Sequence, residues 1–202
     1  MTKLELHLAA LAACGIGTAA PELTAALIQS GIVNINIPSN VDGVYLNVVT
    51  GITGSSSGAT PGWDVNPWSA TGLGLFSPIN PSGGAYVVSA PGFAINLGIG
   101  SFIGPANTFG SGTAANTAMW NLNSTNNHAG FRFFNEATGQ IHYGWMRLAF
   151  SSTIIAQPRT IVEYAYESTP GMQAWIPWPT PGTATALLIG GGMMSRRRRF
   201  DA

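Results

Sequence analysis

Charge is what this sequence has least of. Only 8% of its 202 residues are Asp, Glu, Lys or Arg, and the formal charges cancel to zero. Between residues 27 and 178 the bases are Arg132, Arg147 and Arg159, set against the acids Asp42, Asp64, Glu136, Glu163 and Glu167. Three against five leaves a net charge of −2 on that stretch. Such a surface cannot neutralise phosphates or hold an anionic bilayer, which excludes nucleic acid as a partner. Cysteine is nearly absent too: Cys14 is the single one, so no disulfide can form within the chain. The domain must then rest on core burial, and about 150 residues suffice for that, since a domain of this size buries about 68–70% of its unfolded-chain surface. Also missing is any convincing helical stripe between residues 27 and 178.

What is present is strand periodicity. In Val33-Asn34-Ile35-Asn36-Ile37 the apolar residues alternate with asparagines until Pro38 ends the run. Val44, Leu46 and Val48 share one face of the next segment, and residues 38–43 supply turn chemistry between the two. Further strands are expected over 72–76, 85–89 and 93–99. The clearest unit covers 131–150, two strands joined by a polar connector with Gly139 near its end, of the kind used in hairpin loops. On the second strand Ile141, Tyr143, Trp145 and Arg147 share one face, and His142, Met146, Leu148 and Phe150 the other. Apolar bulk on both faces suits an inner strand covered on both sides. A last long strand is expected over 160–167, with Val162, Tyr164 and Tyr166 facing oppositely to Glu163 and Glu167. Short strands separated by Gly- and Pro-rich loops point to an all-β domain of the β-sandwich or jelly-roll kind.

The two ends differ from this middle. Residues 8–20 are apolar or small throughout, a length that suits a secretory h-region rather than a spanning helix. A signal peptide over 1–26, cut after Ala26, removes Cys14 with it. Leu11-Ala12-Ala13-Cys14, followed by Gly15, also resembles a bacterial lipobox, which implies a lipid anchor on Cys14. At the other end residues 182–195 hold no charge and run directly into Arg196, Arg197, Arg198 and Arg199. As a helix that run spans roughly 21 Å, short of the ~30 Å hydrocarbon core. The arginines would stay on the cytoplasmic side, and Trp175 and Trp178 suit the opposite interface. A short C-terminal hydrophobic helix is therefore expected to meet the membrane at least transiently.

Pro179-Thr180-Pro181-Gly182, the apolar run and the terminal arginines resemble the PEP-CTERM sorting tails of Gram-negative bacteria. Thr180 stands where that motif has glutamate. The matching positions are Pro179, Pro181, Gly182, Arg196, Arg197, Arg198 and Arg199. The resemblance implies export, recognition by an exosortase-like membrane protease, and residence in the envelope or in an extracellular exopolysaccharide or biofilm matrix. Residues 42–51, His142-Tyr143-Gly144-Trp145 and the stretch 164–171 are similar to a recurring ectodomain type of sorting-tail proteins, and that likeness brings no activity with it. The expected organisation is a signal peptide over 1–26, a β-ectodomain over 27–176 and a sorting tail over 177–202.

Catalytic motifs do not assemble. Gly54-Ser55-Ser56-Ser57-Gly58 has the spacing of a nucleophile elbow, but Ala59-Thr60-Pro61-Gly62 follows where a helix should start. His128 and His142 are too few for a zinc site of three or four ligands. Glu163 and Glu167 would lie ~13 Å apart along a strand, outside the 5–9.5 Å of paired glycosidase acids. Asp42, Asp64 and the asparagine-rich stretch 121–127 offer oxygens to calcium, or equally form Asx turns. We thus expect no catalytic residues, cofactor or metal. Trp63, Trp68 and Trp120 with the asparagine loops could present a glycan platform, and suit core packing as well. The reading is an exported structural or adhesive protein, with a secreted carbohydrate-binding module or glycan-active enzyme as the alternative.

Overall fold

A computed structural model of the chain describes residues 25–78, 83–89, 92–110, 113–114 and 117–178. The fold there is all-β, and helix is limited to two three-residue 3-10 turns. The strands are β1 (Leu27–Gln29), β2 (Ile35–Asn36), β3 (Tyr45–Leu46), β4 (Thr53–Gly54), β5 (Asn66–Trp68), β6 (Gly74–Phe76) and β7 (Ala85–Val87). They continue with β8 (Phe102–Ile103), β9 (Phe109–Gly110), β10 (Thr113–Ala114), β11 (Ser124–Asn135), β12 (Gln140–Phe150), β13 (Thr160–Glu167) and β14 (Ala174–Trp175). An antiparallel seven-stranded sheet runs β1-β13-β12-β11-β7-β9, and β2 joins it on β13. Since β12 occupies one edge of β13, β1 and β2 follow each other along its other edge. Three smaller sheets, β10-β6-β5, β14-β8 and β3-β4, complete the structure.

The long hairpin β11–β12 forms where the alternation is cleanest. Its loop closes on Asn135, whose Oδ1 accepts from the Ala137 amide and whose carbonyl accepts from the Gly139 amide. Gly139 has φ +67°, a left-handed conformation that glycine adopts at no steric cost. Alternation along β12 sends its residues into two separate cores. Met146, Leu148 and Phe150 join Phe131, Phe133, Tyr164, Tyr166, Leu46 of β3, Leu75 of β6 and Val65. Tyr143 and Trp145 join Val87, Ile103, Ala165, Ala174 and Ile176 on the opposite face. Each large apolar side chain buried this way contributes about 1.5–3 kcal/mol. Two glycines let large rings cross the sheet. Gly144 lies opposite Phe131 and Gly130 opposite Trp145. A Cβ on Gly144 would sit 2.5 Å from the Ala165 carbonyl oxygen and 2.9 Å from the Phe131 ring.

Several expected strands are shorter than their apolar runs. Over 33–37 only β2 forms, because Asn34 takes φ +49° and turns the chain out of the ladder. Over 44–49 only β3 forms. The Asn47 carboxamide oxygen collects the Val49 and Thr50 amides, and the Asp64 carboxylate takes the Val48 amide. Side-chain acceptors here outcompete the ladder. The strand expected over 93–99 reduces to one bridge, Ala94 with Val88.

One charge holds the loops together. Arg159 is fully buried, and its guanidinium donates to the carbonyls of Ile37, Pro38, Ser69, Gly72 and Ile154. Five carbonyls from three loop regions thus share one cation, which burial pulls below its ordinary pKa.

Candidate functional site

Register builds a cleft on the face that carries Trp145. His128 of β11 pairs with Arg147 of β12, which pairs with Glu163 of β13, so three polar side chains form one row across the sheet. The adjacent row runs Gly130, Trp145, Ala165 and Gln29. Small residues on either side of Trp145 leave room for its indole. The cleft has a volume of about 330 Å³, and its walls add Asn126 and Ile99 to these rows. Ile176, Pro177 and Trp178 close its far side.

The polar groups are fixed in place. Arg147 Nε donates to Glu163 Oε1 at 2.8 Å, and Arg147 also donates to the Thr125 carbonyl at 3.1 Å. The two paired side chains remain 20% and 25% exposed, so each keeps hydrogen-bonding capacity toward the cleft. Trp145 Nε1 donates to the Trp175 carbonyl at 3.0 Å, which locks the indole plane. His128 packs edge-on against that indole at 5.8 Å. Burial first, and the Arg147 charge second, lower the His128 pKa, so the imidazole is neutral at pH 7. Trp178 is 68% exposed at the rim, beside the turn at Gly100. Among the described residues Glu163 is the one carboxylate lining the cleft, and it is ion-paired. Arg147 thus offers donors and Glu163 acceptors to a ligand in the cleft.

The aromatic platform expected at Trp63, Trp68 and Trp120 lies elsewhere. None of the three lines the cleft. Trp120 is a core side chain, 4% exposed and edge-on to Phe150 at 5.9 Å, so it has no ring face to offer a sugar. Trp63 is half-buried between Tyr45 and Phe76. Trp68 lies across Gly74 of the neighbouring strand. Pro179, Pro181, Gly182, Arg196, Arg197, Arg198 and Arg199 lie outside the described residues, as do residues 1–24 of the expected signal peptide and the apolar run after Gly182. Among the described residues no helix is long and apolar enough to cross a membrane, and no cluster of three metal-ligating side chains occurs.

Other candidates resolve into architecture. Ser56 caps a 3-10 turn, its hydroxyl accepting from the Ala59 amide. His142 is buried with Nδ1 donating to the Glu167 carbonyl and Nε2 against the Thr138 hydroxyl. Asn127 is fully buried, bonded to Asn96 and to both backbone groups of Asn121. Glu167 is buried and accepts from the Thr169 amide. Asp42 is exposed, whereas Asp64 is buried and accepts from the Val48 amide at 2.8 Å. Burial, reinforced by the charge of Glu136, pushes the Asp64 carboxyl up to about 8.

No family model matches this chain, and the curated proteins and solved structures hold no match to it. Function must therefore be argued from the site and from the sequence around it.

Proposed function

We propose that the chain is an exported, non-catalytic protein of the cell envelope or extracellular matrix, structural or adhesive in role, sorted by its C-terminal tail. In this reading the ectodomain is a β-sandwich, and the two separate cores on opposite faces of the large sheet support that layering. One observation supports the proposal: the described hydrogen-bonded strands fill the stretch that lies between the leader-like and tail-like sequences. The Ala26 carbonyl accepts from the Ser168 amide, so the leader-like residues end where β1 docks. At the other end Ile176 exchanges backbone bonds with Gly100 and Ser101, three residues before Pro179. In this reading, leader removal and tail processing leave the β-domain in place.

The export machinery and an exosortase-like protease are the partners this requires, with the membrane engaged at least while the tail is present. Exopolysaccharide would be the surrounding medium. The test is to delete residues 179–202 and fractionate the cells, with mass spectrometry of both mature termini of the intact protein. Sorting by the tail predicts that the truncated protein is released or misdirected. Unchanged fractionation, together with an uncut leader, defeats the proposal.

A further inference from the structure

We propose that the cleft between His128, Arg147, Glu163 and Trp178 is a binding site for a neutral sugar unit of a polysaccharide. The inference rests on the reading of this chain as a surface or matrix protein, and it names the ligand class that such a protein would hold. Four observations converge on it. First, the size fits: about 330 Å³ is at the low end of ligand pockets, which run about 300–1,000 Å³, and so takes one or two sugar rings.

Second, the cleft combines a flat aromatic wall with fixed polar groups. Trp178 is 68% exposed at the rim and can cover the apolar C–H face of a pyranose. Arg147 offers donors, Glu163 acceptors, and the carboxamides of Gln29 and Asn126 offer both, which is what neighbouring hydroxyls require. Third, the site is pre-organised. Trp145 is locked to the Trp175 carbonyl, and Arg147 is held by Glu163 and the Thr125 carbonyl, so little side-chain freedom is lost on binding.

Fourth, charge selects the class. Arg147 and Glu163 already compensate each other. An anionic ligand would compete with Glu163 for Arg147 and leave the carboxylate without its partner, and a cationic ligand would do the reverse. His128 is neutral at pH 7 and adds no charge. A neutral polyhydroxyl ligand can bond to both members without separating them. The location is also apt. Gln29 of β1 and Trp178 both line this cleft, so a bound glycan sits at the sequence that leads into Pro179.

The experiment uses the full-length chain purified in mild detergent. It is titrated with cello-, manno- and galacto-oligosaccharides and with an oligogalacturonate as the anionic control, followed by tryptophan fluorescence and calorimetry. We expect saturable binding to at least one neutral series with a Kd tighter than about 10 mM, and weaker binding of the anionic control. Trp178→Ala should weaken binding at least about tenfold with an unchanged melting temperature, because the ring is exposed. Glu163→Gln keeps the side-chain shape and should weaken binding about three- to tenfold. The proposal is overturned by absence of saturable binding to every neutral series. A preference for the uronate overturns it as well, as does binding that neither variant changes. These measurements are made on purified protein, so their failure leaves the sorting proposal to its own fractionation test.

Discussion

Replacing Asp64 with asparagine should change how stability depends on pH. The Asp64 carboxyl titrates near 8 in the folded protein, against an ordinary value of 3.8. Burial is the leading cause: only 2% of the residue is exposed, and one amide bond from Val48 offsets part of the cost of burying a charge. Between pH 3.8 and about 8 the folded protein holds a proton that the unfolded chain has released. Stability conferred by that proton is complete below the unfolded value and is lost as pH rises through the window, at about 1.4 kcal/mol per pH unit. Across the window the loss is on the order of 5 kcal/mol. Asparagine keeps an oxygen for the Val48 amide and cannot ionise, so this dependence vanishes. Urea unfolding followed by tryptophan fluorescence, from about pH 5 to 9, would measure it. The difference between wild type and Asp64→Asn cancels the titrating groups that do not interact with Asp64. Asp64→Asn should gain on wild type by about 1.4 kcal/mol per unit up to pH 8 and then hold level. Parallel stability curves over that range would refute the buried, protonated carboxyl.

Two further substitutions test the architecture. Arg159→Met deprives five carbonyls of their shared donor. It should cost at least about 4 kcal/mol by denaturant unfolding, given about 1–3 kcal/mol for each buried group left unpaired. Arg159→Lys, with three donors in place of five, should recover only part. Gly144→Ala would press a methyl against the Ala165 carbonyl, which is backbone and cannot yield, whereas the nearest atoms to a methyl at Gly130 belong to the side chains of Val87, Leu97 and Ile103. Both should destabilise by about 1–3 kcal/mol, Gly144→Ala more than Gly130→Ala. Equal melting temperatures for the two variants would count against the register drawn through Phe131 and Trp145.

The parts legible in the sequence are those where one strand's alternation decides the outcome. Residues 140–150 declare both faces by their own pattern, and β12 sends them into two cores. β13 forms over 160–167 as expected, but a register shift opposite Arg147 and Leu148 puts Ile161 rather than Val162 in the core with Tyr164 and Tyr166. Shortened strands mark where side chains intervene. Nothing in Val44-Tyr45-Leu46-Asn47-Val48 shows that Asp64, sixteen residues further on, will take the Val48 amide. The cleft was hidden for a related reason. Trp145 and Arg147 share a face by simple alternation, but seating Arg147 against Glu163 and His128 needs the register of three strands. Placing Trp178 beside Gln29 needs both ends of the domain to meet, which no local pattern encodes. Trp63, Trp68 and Trp120 suit a sugar face or core packing equally by residue type, and what packs over each ring decides: Trp120 is buried, while Trp63 and Trp68 stay partly exposed.

Scarcity of charge makes each charged residue informative. Each arginine between residues 27 and 178 has a defined place: Arg159 gathers five carbonyls, and Arg132 bonds the Gly83 carbonyl and lies over the Phe109 ring. Arg147 alone is joined to a carboxylate and also borders a cleft. An exposed cross-strand pair of this kind adds only about 0.2–1 kcal/mol to stability, too little to explain an ion pair in a chain that otherwise avoids charge. Its seat beside a locked indole and an exposed one argues for recognition. The same scarcity limits what can be recognised there, because a fully charged ligand would compete for one member of the pair, and among the described residues lining the cleft no second charge takes its place.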